Sequence, residues 1–246
     1  LKQTGVVISD NNLKNRDILE QSYLGQINYS IKKLTTTLGV RYTNSGQYGN
    51  NISPRATLVY SLSEKSSVKA IYGKSYRAPS LFELYFINPD TTVFGNDNLE
   101  PEISQSFEIA YLKAHKHFFF QGIAYYAVHK NNIQRINKDL SYNRRLYTSI
   151  NQYANGNNYN SYGFEIETKY NNPKYFQLFF NYSLASGDKG DTLGISNHYN
   201  FRFVPMHQIS TGIHKSFKQN FFASALLNYC SPIDGVVEEI PAQYKL

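Results

Sequence analysis

The sequence predicts an all-β fold, a partial transmembrane antiparallel β-barrel of about ten or eleven strands. Apolar and polar residues alternate with a period of two along most of the chain. Aromatic residues make up 15% of the 246 residues, with 22 Tyr and 16 Phe. Transmembrane barrels use such residues on lipid-facing strand positions and in interface girdles. Short and long connections also alternate between the predicted strands, which is typical of barrels with short turns on one side of the membrane and long loops on the other.

Each strand is predicted from its own alternation, which is clearest where Leu34, Leu38 and Tyr42 oppose Thr35, Arg41 and Thr43. We predict strands at 20–31, 34–43, 55–62, from 66 to the break at 77, from 103 onward, and at 117–128, 146–170 (interrupted at 155–160), 176–184, 204–217 and 220–229. The predicted short turns are 32–33, 63–65, 114–116, 171–173 and 218–219, and the predicted long connections are 44–51, 77–102, 131–145, 185–200 and 231–244. No helical period is found.

Several classes of protein are excluded or disfavoured by composition. No apolar run of about 18 residues exists, so a transmembrane helix is excluded. The lone Cys230 cannot form an internal disulfide. The net charge of +7 comes from scattered Lys and Arg without a basic run, so no nucleic-acid partner is expected. The first residues do not form a signal peptide. We therefore expect residues 1–246 to be one single-domain barrel segment, incomplete at both ends.

Three motifs occur in order between Ser66 and Glu108. Tyr76-Arg77-Ala78-Pro79-Ser80 ends a strand, and Glu83-Leu84-Tyr85 follows it. Asn96, Leu99, Pro101 and Glu102 then precede Glu108 on the next strand. In this order and spacing the motifs resemble those of the TonB-dependent receptors of the bacterial outer membrane.

The resemblance implies a barrel of about 22 strands whose lumen is filled by an N-terminal plug. It implies uptake of a scarce solute, foremost a ferric siderophore, energised by the TonB-ExbB-ExbD complex through a plug outside this segment. Cobalamin or haem are the alternative substrates. Haem receptors of the family carry a histidine between the two main motifs, and residues 80–98 contain none. The alternative from another class is a small passive porin-like or adhesin barrel. Outer-membrane lipid and lipopolysaccharide are expected partners.

Residues of the long connections are the candidate ligand contacts: Glu83, Tyr85, Arg135, Tyr142, Arg144, Arg145, His198 and Tyr199. Basic and aromatic side chains around 131–145 suit an anionic siderophore by charge and stacking. Lipopolysaccharide phosphates or solubility explain the same basic residues equally well. For Arg77-Ala78-Pro79 we expect a role in ending the strand rather than ligand contact, because proline removes a ladder donor.

The polar strand faces are expected to line the lumen with mutually paired charges, and an inward Glu108 is expected to pair with a neighbouring base. These residues are Arg41, Arg55, Lys69, Glu108, Glu165, Glu167 and Lys169. Glu165 and Glu167 lie two apart on one face, but no nucleophile can be assigned beside them, so no enzyme is expected. His115 and His117 lack further ligands, so neither a metal site nor a cofactor is expected.

Overall fold

The computed structural model of the chain describes residues 2–4, 17–88, 93–142, 145–172, 174–188, 204–217, 221–233 and 243–245. Its elements, in chain order, are β1 (Lys2–Thr4), β2 (Asp17–Ile31), β3 (Leu34–Ser45), β4 (Gly49–Ser63), β5 (Ser66–Arg77), α1 (Leu81–Tyr85), β6 (Ile87–Asn88), β7 (Val93–Phe94), β8 (Glu102–His115), β9 (Phe118–Lys130), β10 (Ile133–Tyr142), β11 (Arg145–Asn155), β12 (Tyr159–Asn172), β13 (Phe176–Gly187), β14 (His207–Ser216), β15 (Phe222–Cys230) and β16 (Gln243–Lys245). No helix among these residues is long and apolar enough to cross a membrane.

Twelve strands form one antiparallel sheet in the order β1-β2-β3-β4-β5-β8-β9-β12-β13-β14-β15-β16. The ten longest of them are the strands that the alternation predicts, so the all-β barrel prediction is confirmed. The remaining strands form a second sheet in the order β10-β11-β7-β6. The second sheet belongs to the two longest described connections, between β5 and β8 and between β9 and β12.

The outward face of the main sheet is apolar across neighbouring strands. On the adjacent strands β5, β8, β9 and β12, the residues at one register position are Tyr72, Phe107, Tyr126 and Tyr162. The ring centres of Tyr72 and Phe107 lie 4.8 Å apart. These positions remain open to the surroundings, and Phe107 is 50% exposed. In a bilayer this surface is buried in hydrocarbon, where every backbone group must be paired, as the ladders pair them here.

The opposite face is polar and forms the inner wall. Arg41 donates to the Ser22 hydroxyl, Arg55 donates to Gln26, and Lys169 pairs with Glu167 at 2.5 Å. Of the charges predicted to pair along this wall, Lys169 and Glu167 form an ion pair, whereas Arg41 and Arg55 bind neutral side chains instead. Glu108 differs, because it forms no ion pair within the described residues; its register partners are Ile71 and Tyr125, which carry no positive charge. The predicted pairing of Glu108 with a lumen base is therefore wrong.

Connections alternate between two ends of the sheet, which we call the turn end and the loop end. The turn end holds the tight turns at 32–33, 64–65 and 116–117 and the described turn residues 174–175, close to their predicted places. The predicted turn at 218–219 lies outside the described residues. At the loop end the predicted loop 44–51 shrinks to a turn at 46–48, because the Asn and Ser residues on both sides pair in the β3–β4 ladder.

Three further expectations are corrected. Within 131–145, predicted as a loop, residues 133–142 form β10, which pairs with β11. Residues 81–85 form the short helix α1 rather than open loop. The tail after Ser231, predicted as loop, contains β16, which pairs with β15. In the two strand segments tertiary pairing organises residues whose polar composition alone indicates a loop, whereas α1 begins at a capping box formed by Ser80 and Glu83.

Candidate functional site

Two of the described connections at the loop end pack into one compact unit, which we call the loop body and define as residues 78–88, 93–101, 131–142 and 145–158. Its core contains Leu81, Leu84, Leu99 and Ile133, with Tyr48, Tyr85 and Tyr153 packed against them. Phe94 and Ile150 are buried nearby at 1% and 0% exposure. The loop body is therefore a small hydrophobic core above the sheet rather than a set of independent loops.

The helix α1 is fixed by its own sequence. Ser80 and Glu83 form a capping box, in which the Ser80 hydroxyl accepts from the Glu83 amide and the Glu83 carboxylate accepts from the Ser80 amide at 2.8 Å. Ser-x-x-Glu before apolar residues is a signal that sequence reasoning could have used to find the helix. The buried faces of Leu81 and Leu84 then turn toward the core of the loop body.

Arg77 joins this helix to the main sheet. Its Nε donates to Glu102 at 2.6 Å, and its Nη1 donates to Glu83 Oε2 at 3.0 Å. The other oxygen of Glu102 accepts the backbone amide of Ile133 at 2.7 Å, at the start of β10. One guanidinium thus bridges α1, β8 and, through Glu102, the hairpin. We call Arg77, Glu83 and Glu102 the Arg77 clamp.

The ionisation of the clamp follows from these contacts. Burial raises the pKa of Glu83, but hydrogen bonds from Arg77 and Ser80 and the charge of Arg77 outweigh it, so the net pKa lies below its ordinary value. Tyr48, in the neighbouring 46–48 turn, donates to the Pro79 carbonyl at 3.5 Å. Burial, followed by the nearby Glu20, raises the pKa of Tyr48 to about 12, so its hydroxyl stays a donor at neutral pH.

Amide side chains join the two halves of the loop body. Asn155 donates to the carbonyls of Glu100 and Asn131 and accepts the Glu100 amide at 2.8 Å. Asn96 donates to the Tyr153 carbonyl at 3.0 Å, and Gln152 donates to the Gly95 carbonyl at 3.0 Å. The short β7 also pairs in parallel with β11. These hydrogen bonds provide partners for backbone amides and carbonyls in segments that are not paired in a long β-ladder.

The motif residues therefore occupy structural positions. Pro79, Leu84 and Leu99 are buried, and Arg77, Glu83 and Glu102 form the clamp. This agrees with the expectation that Arg77-Ala78-Pro79 shapes the passage from strand to loop. Glu108 alone lies away from the loop body, on the inner wall. The spacing of the motif thus places Arg77, Glu83 and Glu102 where their side chains contact one another at the loop end.

The candidate ligand residues lie in different parts of the loop end. Glu83 is held in the clamp, and Tyr85 packs against the core of the loop body. Arg135 is exposed on β10, while Tyr142 and Arg145 pair at the tip of the hairpin, roughly 30 Å from its base at 3.3 Å per residue. Arg144, His198 and Tyr199 lie outside the described residues. The structure brings Arg135, Tyr142 and Arg145 onto one hairpin.

Sequence reasoning missed a polar pocket of about 360 Å³ beside the clamp. Its lining includes Ser104, His129 and Tyr159 on the inner face of three adjacent strands. The His129 and Tyr159 rings stack at 4.5 Å, and His129 Nε2 lies 3.1 Å from the Ser161 hydroxyl. The predicted strand ended at Val128, one residue before His129, although the alternation continues through it.

A second concavity of about 450 Å³ lies on the inner wall between β9 and β15. Glu165, Glu167 and Asn181 contribute to its lining. Glu165 and Glu167 share the inner face, as predicted. Among the described residues, no group of three or more His, Cys, Asp or Glu side chains could hold a metal ion.

A sheet with an apolar outer face and a polar inner wall, and with a folded loop body at one end, has the arrangement of a transmembrane β-barrel wall. The chain belongs to the TonB dependent receptor-like, β-barrel family, whose model matches residues 3–234. The protein is thus a component of the bacterial outer membrane.

Solved structures share this fold. A ferric enterobactin receptor, PfeA from Pseudomonas aeruginosa, superposes with a TM-score of 0.74 at 17% identity, covering 99% of this chain and 39% of that one. The siderophore receptor PirA from Acinetobacter baumannii gives 0.72 at 13% identity, covering 97% and 40%. This chain thus spans about two fifths of the length of these receptors.

Sequence relatives are matched over a shorter part. A vitamin B12 transporter, BtuB from Vibrio cholerae, is 32% identical over 72 residues, which cover 29% of this chain and 11% of that protein. The BtuB of Photobacterium profundum is 32% identical over 77 residues, covering 31% and 12%.

Proposed function

We propose that this chain supplies barrel wall and ligand-capturing loops to an active-transport receptor for a ferric siderophore. The family match over 3–234 is the observation that carries the proposal. The fold is also shared, over nearly the whole chain, with receptors described as siderophore receptors. In this proposal the TonB-ExbB-ExbD complex energises uptake through a plug domain outside the described chain. We propose no catalytic role for it.

The loop body provides a physical basis for ligand capture. A binding loop loses less conformational entropy on binding when it is already folded, and the core around Leu84 and Ile133 holds the hairpin in place before any ligand arrives. We propose that the exposed hairpin presents Arg135, Tyr142, Arg144 and Arg145 to an anionic ligand. Guanidinium groups suit anionic oxygens, and tyrosine rings suit the flat aromatic groups of such ligands.

The remaining candidate residues are included in this proposal. We propose Tyr85, His198 and Tyr199 as further contacts. Glu83 serves chiefly to position α1, because its carboxylate already accepts from Arg77 and Ser80. A direct contact between Glu83 and ligand remains a prediction. The polar pocket beside the clamp, with His129 and Tyr159, lies below this surface and gives a ligand a polar path toward the inner wall.

Cobalamin is the second candidate substrate, because the sequence relatives are vitamin B12 transporters. Its uncharged corrin amides would depend less on the basic hairpin than an anionic ferric siderophore does. The two substrates are therefore separable by the same set of variants. A passive barrel is less favoured, since the matched family consists of receptors.

The test is equilibrium binding to the intact receptor purified from outer membranes, with ferric enterobactin and cyanocobalamin as probes. We expect submicromolar binding of the ferric siderophore and a loss of at least about tenfold when Arg144 and Arg145 are both replaced by Ala, since charge-assisted hydrogen bonds contribute about 1.5–3 kcal/mol each. Gly46→Ala in the adjacent 46–48 turn is the control, because a methyl group there meets no atom within 4 Å. Binding of cyanocobalamin alone would favour the second candidate, and binding of neither would contradict both.

A further inference from the structure

Lysines collect at the turn end of the main sheet. They lie on the turns, or on the outward face within a few residues of them: Lys32, Lys33, Lys65, Lys113, Lys116, Lys174 and Lys215. All of them are exposed, and none forms an ion pair within the described part of the chain. Glu64 is the single acid in the same described positions. We call these lysines the turn-end lysines.

The loop end is charged differently. Its described side chains include the acids Glu20, Glu83, Asp97, Glu100, Glu102, Asp139 and Asp188 and the bases Arg41, Lys74, Arg77, Lys130, Arg135 and Lys138. Acids and bases are thus present in similar numbers, and the clamp pairs two of the acids with Arg77. Among the described side chains, the excess of positive charge is therefore greater at the turn end than at the loop end.

Aromatic rings accompany the turn-end lysines on the outward face. Lys215 Nζ lies 5.1 Å from the Phe217 ring centre, and Lys174 Nζ lies 5.6 Å from that of Tyr175. Tyr170 and Phe176 pack at 5.0 Å beside the same turn. Aromatic side chains with lysines beyond them mark the level at which hydrocarbon gives way to headgroups.

The distribution of these lysines identifies the kind of partner. They recur at the described turns from β2–β3 to β12–β13 and again near the end of β14, across roughly 40 Å of sheet at 4.8 Å per strand. A protein partner would contact one sector of a barrel, whereas a lipid leaflet surrounds the wall. Because the lysines occur at one described turn after another along the sheet, they match a continuous anionic surface.

We propose that the turn-end lysines bind the phosphate groups of anionic phospholipids in the leaflet at the turn end, and so recruit these lipids around the barrel. The ammonium groups reach the headgroup level while their carbon chains cover apolar wall. Anionic lipid is favoured over zwitterionic lipid because its headgroup keeps a net negative charge. The inference does not depend on which ligand the receptor transports.

The experiment measures lipid binding to the intact receptor in detergent by native mass spectrometry, with phosphatidylglycerol and phosphatidylethanolamine as probes. In the test variant Lys32, Lys33, Lys65, Lys116 and Lys174 are replaced by Gln. We expect its affinity for phosphatidylglycerol to fall at least about tenfold and its affinity for phosphatidylethanolamine to stay within about twofold of wild type.

Two further variants make the result decisive. Replacing the same lysines by Arg keeps the charge and should preserve binding of phosphatidylglycerol. The control K130Q/K138Q removes two exposed bases at the loop end and should leave binding of phosphatidylglycerol unchanged. The proposal is overturned if the Gln variant binds phosphatidylglycerol like wild type, if both lipids weaken equally, or if the Arg variant or the loop-end control loses as much as the Gln variant.

Discussion

At the scale of single residues, Arg77 links sequence motif to structure. It is half-exposed itself, but it satisfies two carboxylates that are only 15% and 21% exposed. Removing the cation leaves these partly buried acids without a positively charged partner, which is more costly than the loss of the bond alone. Arg77 is therefore important to the loop body because it neutralises both Glu83 and Glu102.

We predict that Arg77→Ala destabilises the loop body by about 1–3 kcal/mol while the main sheet stays folded. Hydrogen exchange should become faster at the Ile133 amide, which depends on Glu102, and at the α1 amides. Arg135→Ala, on the exposed hairpin, is the control and should leave these amides protected. Unchanged exchange in the Arg77 variant would show that the loop body holds without the clamp.

The acid response of the clamp can also be predicted. Burial, hydrogen bonds and the charge of Arg77 together give Glu83 a pKa below its ordinary value. A carboxyl with a lowered folded-state pKa stabilises the fold fully above its unfolded pKa and loses that contribution as pH falls through the folded value. The protection of the α1 amides, measured as exchange relative to the intrinsic rate at each pH, should therefore be steady near neutral pH and fall only below the normal glutamate range. Glu83→Gln should remove this acid step, and a step that persists in that variant would assign it to another group.

At the scale of elements, the loop body depends on a close approach between β7 and α1. A Cβ at Gly95 would lie 2.7 Å from the backbone carbonyl of Leu84. The Gly95 amide donates to the Phe86 carbonyl and closes the connection after α1. Glycine is needed here for space, because backbone atoms cannot move aside as a flexible side chain can.

We predict that Gly95→Ala separates β7 from α1 and costs about 1–3 kcal/mol of loop-body stability, as overpacking does. Limited proteolysis of the receptor in outer-membrane vesicles should cut 78–101 and 131–158 faster than in wild type. Gly46→Ala is the matched control at the same end of the sheet, since its added methyl group meets open space. Equal cleavage of both variants and wild type would contradict the close packing.

At the scale of the whole molecule, the polar inner wall and the apolar outer face place the chain in the wall of a larger receptor. Backbone pairing in hydrocarbon requires a continuous sheet, and side chains of the two faces are sorted by solvent across all the long strands. The loop body then stands at one end and the turn-end lysines at the other. The proposed capture of ligand and the proposed binding of lipid therefore involve opposite ends of one sheet.

We predict that uptake of a radiolabelled ferric siderophore by cells carrying the intact receptor stops when the proton-motive force is collapsed, while binding at the cell surface continues. An energised receptor needs work to open its lumen, whereas a passive barrel lets solute diffuse through. Cells lacking the receptor provide the background. Uptake that survives the loss of the proton-motive force would refute the proposed TonB-dependent mechanism.

The sequence by itself determined the main sheet, because a period of two fixes which residues face lipid and which face the lumen. It also indicated the motif that carries the family resemblance, though not the reason for it. Residues 131–142 show how far local pattern reaches: Arg135 and Lys138 make the segment look like a loop, yet it is a strand.

Only the tertiary structure decided the loop body and the site within it. Ser80 and Glu83 carried a helix signal, but the burial of Leu84 against Ile133 joins residues almost fifty positions apart. The clamp joins Arg77 to Glu102 across the β5–β8 ladder, and the pocket with His129 and Tyr159 forms where three strands meet. Such contacts depend on strand register and on the path of the chain above the sheet. A repeating local pattern in the sequence specifies neither the register nor this path, so these contacts are determined only by the tertiary structure.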